Sequence, residues 1–371
     1  MSARDLLSRL VAIDSVSARS NLAVIELLEG ELRTAGFSTR RQPVGPDKAN
    51  LIAHKGPTGP GGLALVGHTD TVPYDPAWTE ALTLTERDGK LYGRGACDTK
   101  AFIACALSAA ARPGPALAAP LWLLFTADEE VGCLGAKQLE QLDDLRPQYA
   151  IVGEPTELRP IRGGKGYCLA EIVIVGEEGH SAYPDRGASA LQGARLFLDE
   201  LDKLQDVLRQ EQQEGFSPSF TTLNVGVLQA GKAKNIIAGE ARFTLEWRPV
   251  PLQATARVRA ALSLIAARVH RRFPRLGVQV QVQREESGYA TPADSVLVRF
   301  LEAQSGFSAG TVPFGTEAPS LIALGAQSVV FGPGDIRVAH QTGEFVPLSD
   351  LARGVEILAE AIGSFCGPAP S

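Results

Sequence analysis

The chain of 371 residues lacks several things, and each lack narrows what it can be. Positive charge is not in excess. Lys and Arg number 36 against 42 Asp and Glu, a net charge of −6, so no basic surface for nucleic acid is implied. No run reaches the roughly 18 apolar residues that a membrane span requires. The N-terminal MSARDLLSRLVAIDSVS has charge ahead of a short apolar run, but neither a long apolar core nor a cleavage pattern. It reads as a first amphipathic helix and not as a leader. The five cysteines (Cys97, Cys105, Cys133, Cys168 and Cys366) are an odd, scattered set without C-x-x-C spacing. That argues against a disulfide framework or a structural zinc knuckle and fits a cytoplasmic enzyme. No internal repeat is present. What remains is an ordinary globular composition, 44% apolar and 21% charged, long enough for two domains.

One stretch organises the rest. GGLALVGHTDTVP runs as an apolar strand from Leu63 to Val66 and ends at once in Gly67-His68-Thr69-Asp70. Side chains two apart on an extended segment point the same way, so Asp70 can fix the tautomer of His68 and raise its basicity toward a metal. Taken alone, the stretch fits a packed histidine beside a turn aspartate equally well.

Around it, Leu6 to Leu32 has the spacing of a helix or helix pair stopped by Gly36, followed by short strands at Phe37–Arg41 and Asn50–His54. Leu82–Leu91 resembles a hairpin turned by Asp88-Gly89. GRGACDTKAFIACALSAAARPG opens with glycines and continues as a small-residue helix suited to close packing on a sheet. Leu121–Phe125 and Tyr149–Val152 are further apolar strands, separated by a helix at Leu134–Leu142. Apolar strands alternating with helices predict an α/β domain with a helix-covered, mainly parallel sheet. From about Leu169 the pattern changes to alternating strands with long helices at Ala188–Gln210 and Ala254–Phe273, and the α/β character returns from Asp294. We expect residues 1–168 with 288–371 to form the first domain, and 169–287 a smaller α+β domain inserted in it.

The strands or turns of the first domain end in His68 and Asp70, Asp98, Asp128-Glu129-Glu130 and Glu154, about one βα unit apart. A parallel sheet brings such groups to one edge, where carboxylates repel unless a cation sits among them. His340, in GPGDIRVAHQTGEF, adds a second imidazole. Mixed nitrogen and oxygen donors suit zinc or cobalt better than calcium or magnesium, and the inventory is enough for two metals. Glu129 and Glu130 are adjacent, so one can ligate while the other handles a proton.

HTDTVP, GRGACDTK, TADEEVG, VGEPT, GHSAYP with RGASA, and GPGDIRVAHQTGEF together resemble the successive motifs of the M20 family of di-zinc aminoacylases and deacylases, over nearly the whole chain. The resemblance implies a catalytic α/β domain interrupted by a lid that also makes a homodimer. It implies two zinc ions per chain, for which cobalt may substitute, with His68 and Glu154 on one, Glu130 and His340 on the other, and Asp98 bridging. It further implies Asp70 behind His68, Glu129 as general base, and His180 donating to the oxyanion from across the dimer. In the lid, Asn235 can donate to a carbonyl and Arg248 can grip an α-carboxylate. Gly315, Thr316 and Glu317 are expected to line the substrate pocket, with Glu317 facing a cationic side chain. Lys165 and Arg186 are weaker candidates. Thr99 stands where the family usually has methionine or isoleucine, a departure that touches no ligand.

VGEPTELRPIRGGKG, FGTEAPS and AHQTGEF resemble the forms of members that cleave N2-acetyl-L-ornithine to ornithine and acetate, a step of arginine synthesis. The small-molecule substrate is therefore expected to be an N-acyl amino acid, with acetylcitrulline the first rival and succinyl-diaminopimelate and short peptides behind it. A non-catalytic binding protein on the same fold is the reading from a different class.

Overall fold

A computed structural model describes residues 2–368. The chain divides into two compact units, residues 1–162 with 291–310 and 316–371, and residues 163–290 with 311–315. In chain order the first stretch holds α1 (Ala3–Val11), α2 (Leu22–Thr34), β1 (Ser38–Gly45), β2 (Lys48–Lys55), β3 (Leu63–His68), β4 (Thr85–Arg87), β5 (Lys90–Tyr92), α3 (Lys100–Ala110), β6 (Leu121–Thr126), α4 (Leu134–Leu139) and β7 (Tyr149–Val152). The middle contributes β8 (Ile161–Gly164), β9 (Tyr167–Val175), α5 (Ala190–Arg209), β10 (Thr222–Ala230), β11 (Glu240–Arg248), α6 (Ala256–Arg272), β12 (Gly277–Glu286) and β13 (Tyr289–Ala290). The return contributes α7 (Val296–Ser305), β14 (Gly310–Val312), α8 (Ala318–Ala323), β15 (Gln327–Val330), β16 (Phe345–Pro347) and α9 (Leu348–Cys366).

The large sheet of the first unit runs β1-β2-β6-β3-β7-β15. It is mixed, which corrects the expectation of a mainly parallel sheet. β6, β3, β7 and β15 are parallel to one another, but β2 pairs antiparallel with β6 and β1 antiparallel with β2. The reason is the short connection between β1 and β2, which permits only a hairpin. The central strands β3 and β6 are buried along their whole length, as their unbroken apolar runs require. α3 packs against both α1 and α9, joining Leu6, Leu10, Phe102, Ile103 and Leu358 in one core. A second, small sheet, β16-β5-β4, sets Phe345 opposite Tyr92.

The second unit is an antiparallel sheet of order β10-β11-β9-β12. β9 and β11 bury every second residue, the period a one-sided sheet imposes. Ile172, Ile174, Phe243 and Trp247 meet Phe197 of α5 and Val269 of α6 in its core. No helix among the described residues is long and apolar enough to cross a membrane. All five cysteines are buried, and none forms a disulfide.

Candidate active site

The site is built at the carboxyl ends of β3, β6 and β7 and in two loops of the first unit. β3 ends in His68, which is 1% exposed. Its Nε2 lies 3.1 Å from Oδ1 of Asp98, while Oδ2 of Asp98 lies 3.1 Å from Nε2 of His340. One carboxylate therefore stands between two imidazoles, an oxygen to each. Nε2 of His340 is also 3.2 Å from Oε1 of Glu130. Donor atoms of His68, Asp98 and Glu130 all fall within 4.8 Å of one another, a group able to hold a metal ion.

Nδ1 of His68 meets the backbone carbonyl of Asp70 at 3.0 Å, and the Asp70 carboxylate is farther, at 3.6 Å. That carboxylate is occupied elsewhere. It accepts from the Ser17 hydroxyl at 2.7 Å and from the amides of Glu129 and Glu130 at 3.1 and 3.4 Å. Asp70 thus holds the turn that carries the two glutamates, and Ser17 holds Asp70. On the other side of the turn, Asp128 has a left-handed φ of 57° and is paired with Lys48 at 2.6 Å.

The electrostatics are those of a centre short of positive charge. Burial pushes the Glu129 carboxyl up to about 8, with Glu130, Glu317 and Asp98 adding to the rise and His68 opposing it. Burial likewise raises Glu154 well above the carboxylate range, reinforced by Asp98 and Glu129. Hydrogen bonds to Asp98 and Glu130 raise His340 to about 10. Burial works against a charged His68, yet Asp70 and Asp98 hold it well above its ordinary value. Burial raises Glu129 and Glu154, while Asp98, against its own burial, is held well below the carboxylate range by hydrogen bonds from His340 and His68; a cation among these groups would relieve the repulsion between the carboxylates. The donor set therefore fits a metal.

Glycine is required at position 153, before Glu154. A β-carbon there would lie 2.1 Å from the Phe102 ring, so only a bare backbone lets β7 deliver Glu154 past α3. The Thr99 hydroxyl donates to the Gly153 carbonyl at 3.1 Å, tying the Asp98 loop to that strand end.

The remaining candidates are placed as follows. Glu317 belongs to the first unit, 1% exposed, its Oε1 without a hydrogen-bond partner. Burial raises it to about 7, and the charges acting on it are His68 and Asp70. Thr316 is buried, and its hydroxyl accepts the amide of Ala318 at the start of α8. His180, Asn235, Arg248, Lys165 and Gly315 belong to the second unit. His180 is exposed, its Nδ1 accepts the Ala182 amide, and its backbone bridges to Ile236, one residue from exposed Asn235. Arg248 lies over the Tyr167 ring and donates to Glu246 at 2.8 Å. Lys165 is buried with its ammonium on the Phe220 carbonyl, and burial lowers it to about 8. Gly315 lies beside Tyr167, and Arg186 over the Tyr183 ring.

Sequence reasoning passed over Ser17, Lys48, Arg94 and Glu344. Arg94 and Glu344 lie inside the motifs GRGACD and HQTGEF, so their position was a signal. Ser17 stands in an unremarkable polar segment and gave none.

A metal-dependent hydrolase is the class that this fold and donor cluster define. The chain belongs to peptidase family M20/M25/M40, whose model matches residues 64–364. It is 54% identical to the acetylornithine deacetylase of Myxococcus xanthus, over 98% of this chain and 97% of that one. It is 38% identical to the acetylornithine deacetylase of Proteus mirabilis, over 98% and 96%. Among solved structures, a tripeptidase from Staphylococcus aureus has the same fold, with a TM-score of 0.77 at 21% identity over 97% of this chain and 96% of that one.

Proposed function

We propose that this protein hydrolyses the linear amide of N-acyl amino acids, with N2-acetyl-L-ornithine as its substrate and ornithine and acetate as products. The observation that carries the reaction class is Asp98, which sets one oxygen toward each of His68 and His340 with Glu130 alongside. The choice of substrate is supported by the 54% identity along essentially the full chain.

Two zinc ions, replaceable by cobalt, would be held by His68 and Glu154, by Glu130 and His340, and by Asp98 between them. When bound they supply an acidified water and a polarised carbonyl. Glu129 takes the proton of the attacking water and delivers it to the departing amine nitrogen. Its place is set by Asp70, whose carboxylate accepts the Glu129 amide at 3.1 Å. His180 of one protomer donates to the oxyanion in the site of the other, while Asn235 and Arg248 hold the carbonyl and the α-carboxylate, and Gly315 and Thr316 flank the substrate. The homodimer would form through the domain at 169–287, where β10 is an edge strand with Val227 and Leu228 exposed. We place the enzyme in the cytoplasm, consistent with five cysteines of which none forms a disulfide.

The test is a comparison of kcat/KM for acetylornithine, acetylcitrulline, acetylglutamate, acetylmethionine and succinyl-diaminopimelate on zinc-loaded protein. Metal content is measured on the same preparation, with two ions per chain expected. Acetylornithine should lead. Acetylcitrulline in first place would replace the substrate and keep the chemistry; failure to cleave any of them would remove the enzyme reading.

A further inference from the structure

We infer that Arg94 and Glu344 are positioning residues: a buried ion pair that fixes the loops of Asp98 and His340 against each other and so sets the affinity of the metal centre. This rests on the reading of Asp98 and His340 as ligands.

Both side chains are almost wholly enclosed, at 2% and 1% exposure, and they come from opposite ends of the chain. Oε1 of Glu344 accepts the amides of both Cys97 and Asp98, at 2.9 and 3.0 Å. Two consecutive N–H groups on one oxygen leave the Asp98 backbone no freedom to pivot. Oε2 of the same carboxylate takes Nη1 of Arg94. Nη2 of Arg94 reaches the carbonyl of Pro73 at 3.3 Å, in the stretch that follows His68 and Asp70. Its amide donates to Ala81 at 2.7 Å, and its guanidinium lies over the Trp78 ring. Glu344 is itself four residues beyond His340. One ion pair therefore touches all three segments that bring His68, Asp98 and His340 together.

The backbone prepares this contact. β5 and β16 pair with Tyr92 opposite Phe345, and one step further the Gly93 amide donates to the Glu344 carbonyl at 3.0 Å. The strand register puts residue 94 next to residue 344. A role in stability alone accounts poorly for the pair. Removing two charges from water is costly in general, and apolar replacements of similar volume are often neutral or stabilising. Here Nε of Arg94 is also left without a partner. Apolar side chains could fill the space, but they could not accept the Cys97 and Asp98 amides. A carboxylate can, and beside the acidic centre it is tolerable only with a cation on its far side. That is the part Arg94 takes.

Metal-free wild type, Glu344→Gln and Arg94→Lys are to be compared for zinc affinity by competition with a chromophoric chelator, and for the visible spectrum of the cobalt-loaded form. Thermal unfolding of the metal-free proteins establishes that each is folded. Glu344→Gln keeps an oxygen for the Cys97 and Asp98 amides but turns an NH2 toward Arg94 and breaks the ion pair; it should bind zinc about 10–100-fold more weakly, with a changed cobalt spectrum. Arg94→Lys, which keeps the charge and loses the fork, should show a smaller loss in the same direction. If Glu344→Gln fails to fold, Arg94→Lys carries the test. A folded variant with wild-type zinc affinity and a wild-type cobalt spectrum would overturn the inference, whatever its melting temperature. Wild type that binds no zinc would instead overturn the metal reading beneath it.

Discussion

In the first unit, His68, Asp70, Arg94, Asp98, Lys100, Glu154, Glu317 and Glu344 are all buried, clustered about the strand ends and the loops beside them. In the second, the buried charged residues among those described are Lys165 and Glu200, and Glu200 is met by Lys203 and Arg268 near the surface. The second unit is assembled as packing theory prefers, with aromatic and branched side chains inside and ion pairs outside. The first retains charge in its interior, at a cost in desolvation that packing alone never calls for. Two units of one chain, under the same selection for foldability, thus differ in how much unfavourable charge they keep. The surplus marks where chemistry is done.

The sharpest way to break that contrast is at Glu129. Glu129→Gln should lower kcat by about 10²–10⁴ while zinc content, measured on the same sample, stays at the wild-type value. Turnover near wild type would place the proton transfer on another group. The converse experiment belongs to the second unit, where Phe197 meets Phe243 edge-on with ring centroids 5.4 Å apart. Phe197→Ala should destabilise by about 3–5 kcal/mol, as loss of a buried aromatic ring does, and shift the denaturant midpoint without changing the zinc affinity of the folded protein. A variant that loses zinc affinity at unchanged midpoint would contradict the division between the units.

Glu317 sharpens the contrast within the first unit. It is enclosed at 1% exposure, and we expect it to act at the metal end of the proposed site and not on the side chain of the substrate. Glu317→Gln should therefore reduce kcat/KM for acetylornithine and acetylcitrulline alike. A loss confined to acetylornithine would return it to side-chain recognition.

The smallest effect is expected at Glu29, a buried carboxylate neutralised by protein cations. Burial would raise it, but Arg41, Thr39 and Arg33 together leave it below its ordinary value. A lowered carboxyl contributes stability above its unfolded value of about 4.5 and loses that contribution as the pH falls through the folded value. In urea titrations Glu29→Gln should flatten the stability profile on the acid side of that point. An unchanged slope would show that the arginines do not hold the charge.

Much of this architecture was readable in the amino-acid order, and the exceptions have a common physical cause. β3, β6 and β7 announce themselves because a strand buried on both faces must be apolar throughout, and α3 because only small residues pack closely on a sheet. β8, β13 and β14 span two to four residues, too few to establish a period, and owe their existence to partners distant in sequence. The antiparallel attachment of β2 to β6 was equally hidden, since alternation of apolar residues carries no direction. At the site, His68, Asp98 and Glu130 were visible because chemically distinctive side chains follow apolar strands or glycine turns. Ser17 was not, and Glu344 showed only its place in a motif, because they act on a carboxylate and on backbone amides that only the folded chain brings near them. Glu317 was visible as a residue type while its depth was not.

The insertion of one unit into the other also imposes an order of events during synthesis. Thr291 donates its amide to the Arg162 carbonyl at 2.7 Å, so the main excursion of the chain, residues 163–290, leaves and re-enters the first unit at neighbouring positions. A chain emerging from the ribosome releases β7 long before β15, its neighbour in the sheet, and α3 long before α9. The second unit draws nearly all its strands and helices from one continuous stretch and can complete its core in the interval. The first unit waits with one edge of its sheet unpaired, an invitation to association with other chains. His340 and Glu344 follow the second unit in the chain. The group around Asp98 can therefore close only after the second unit has been made.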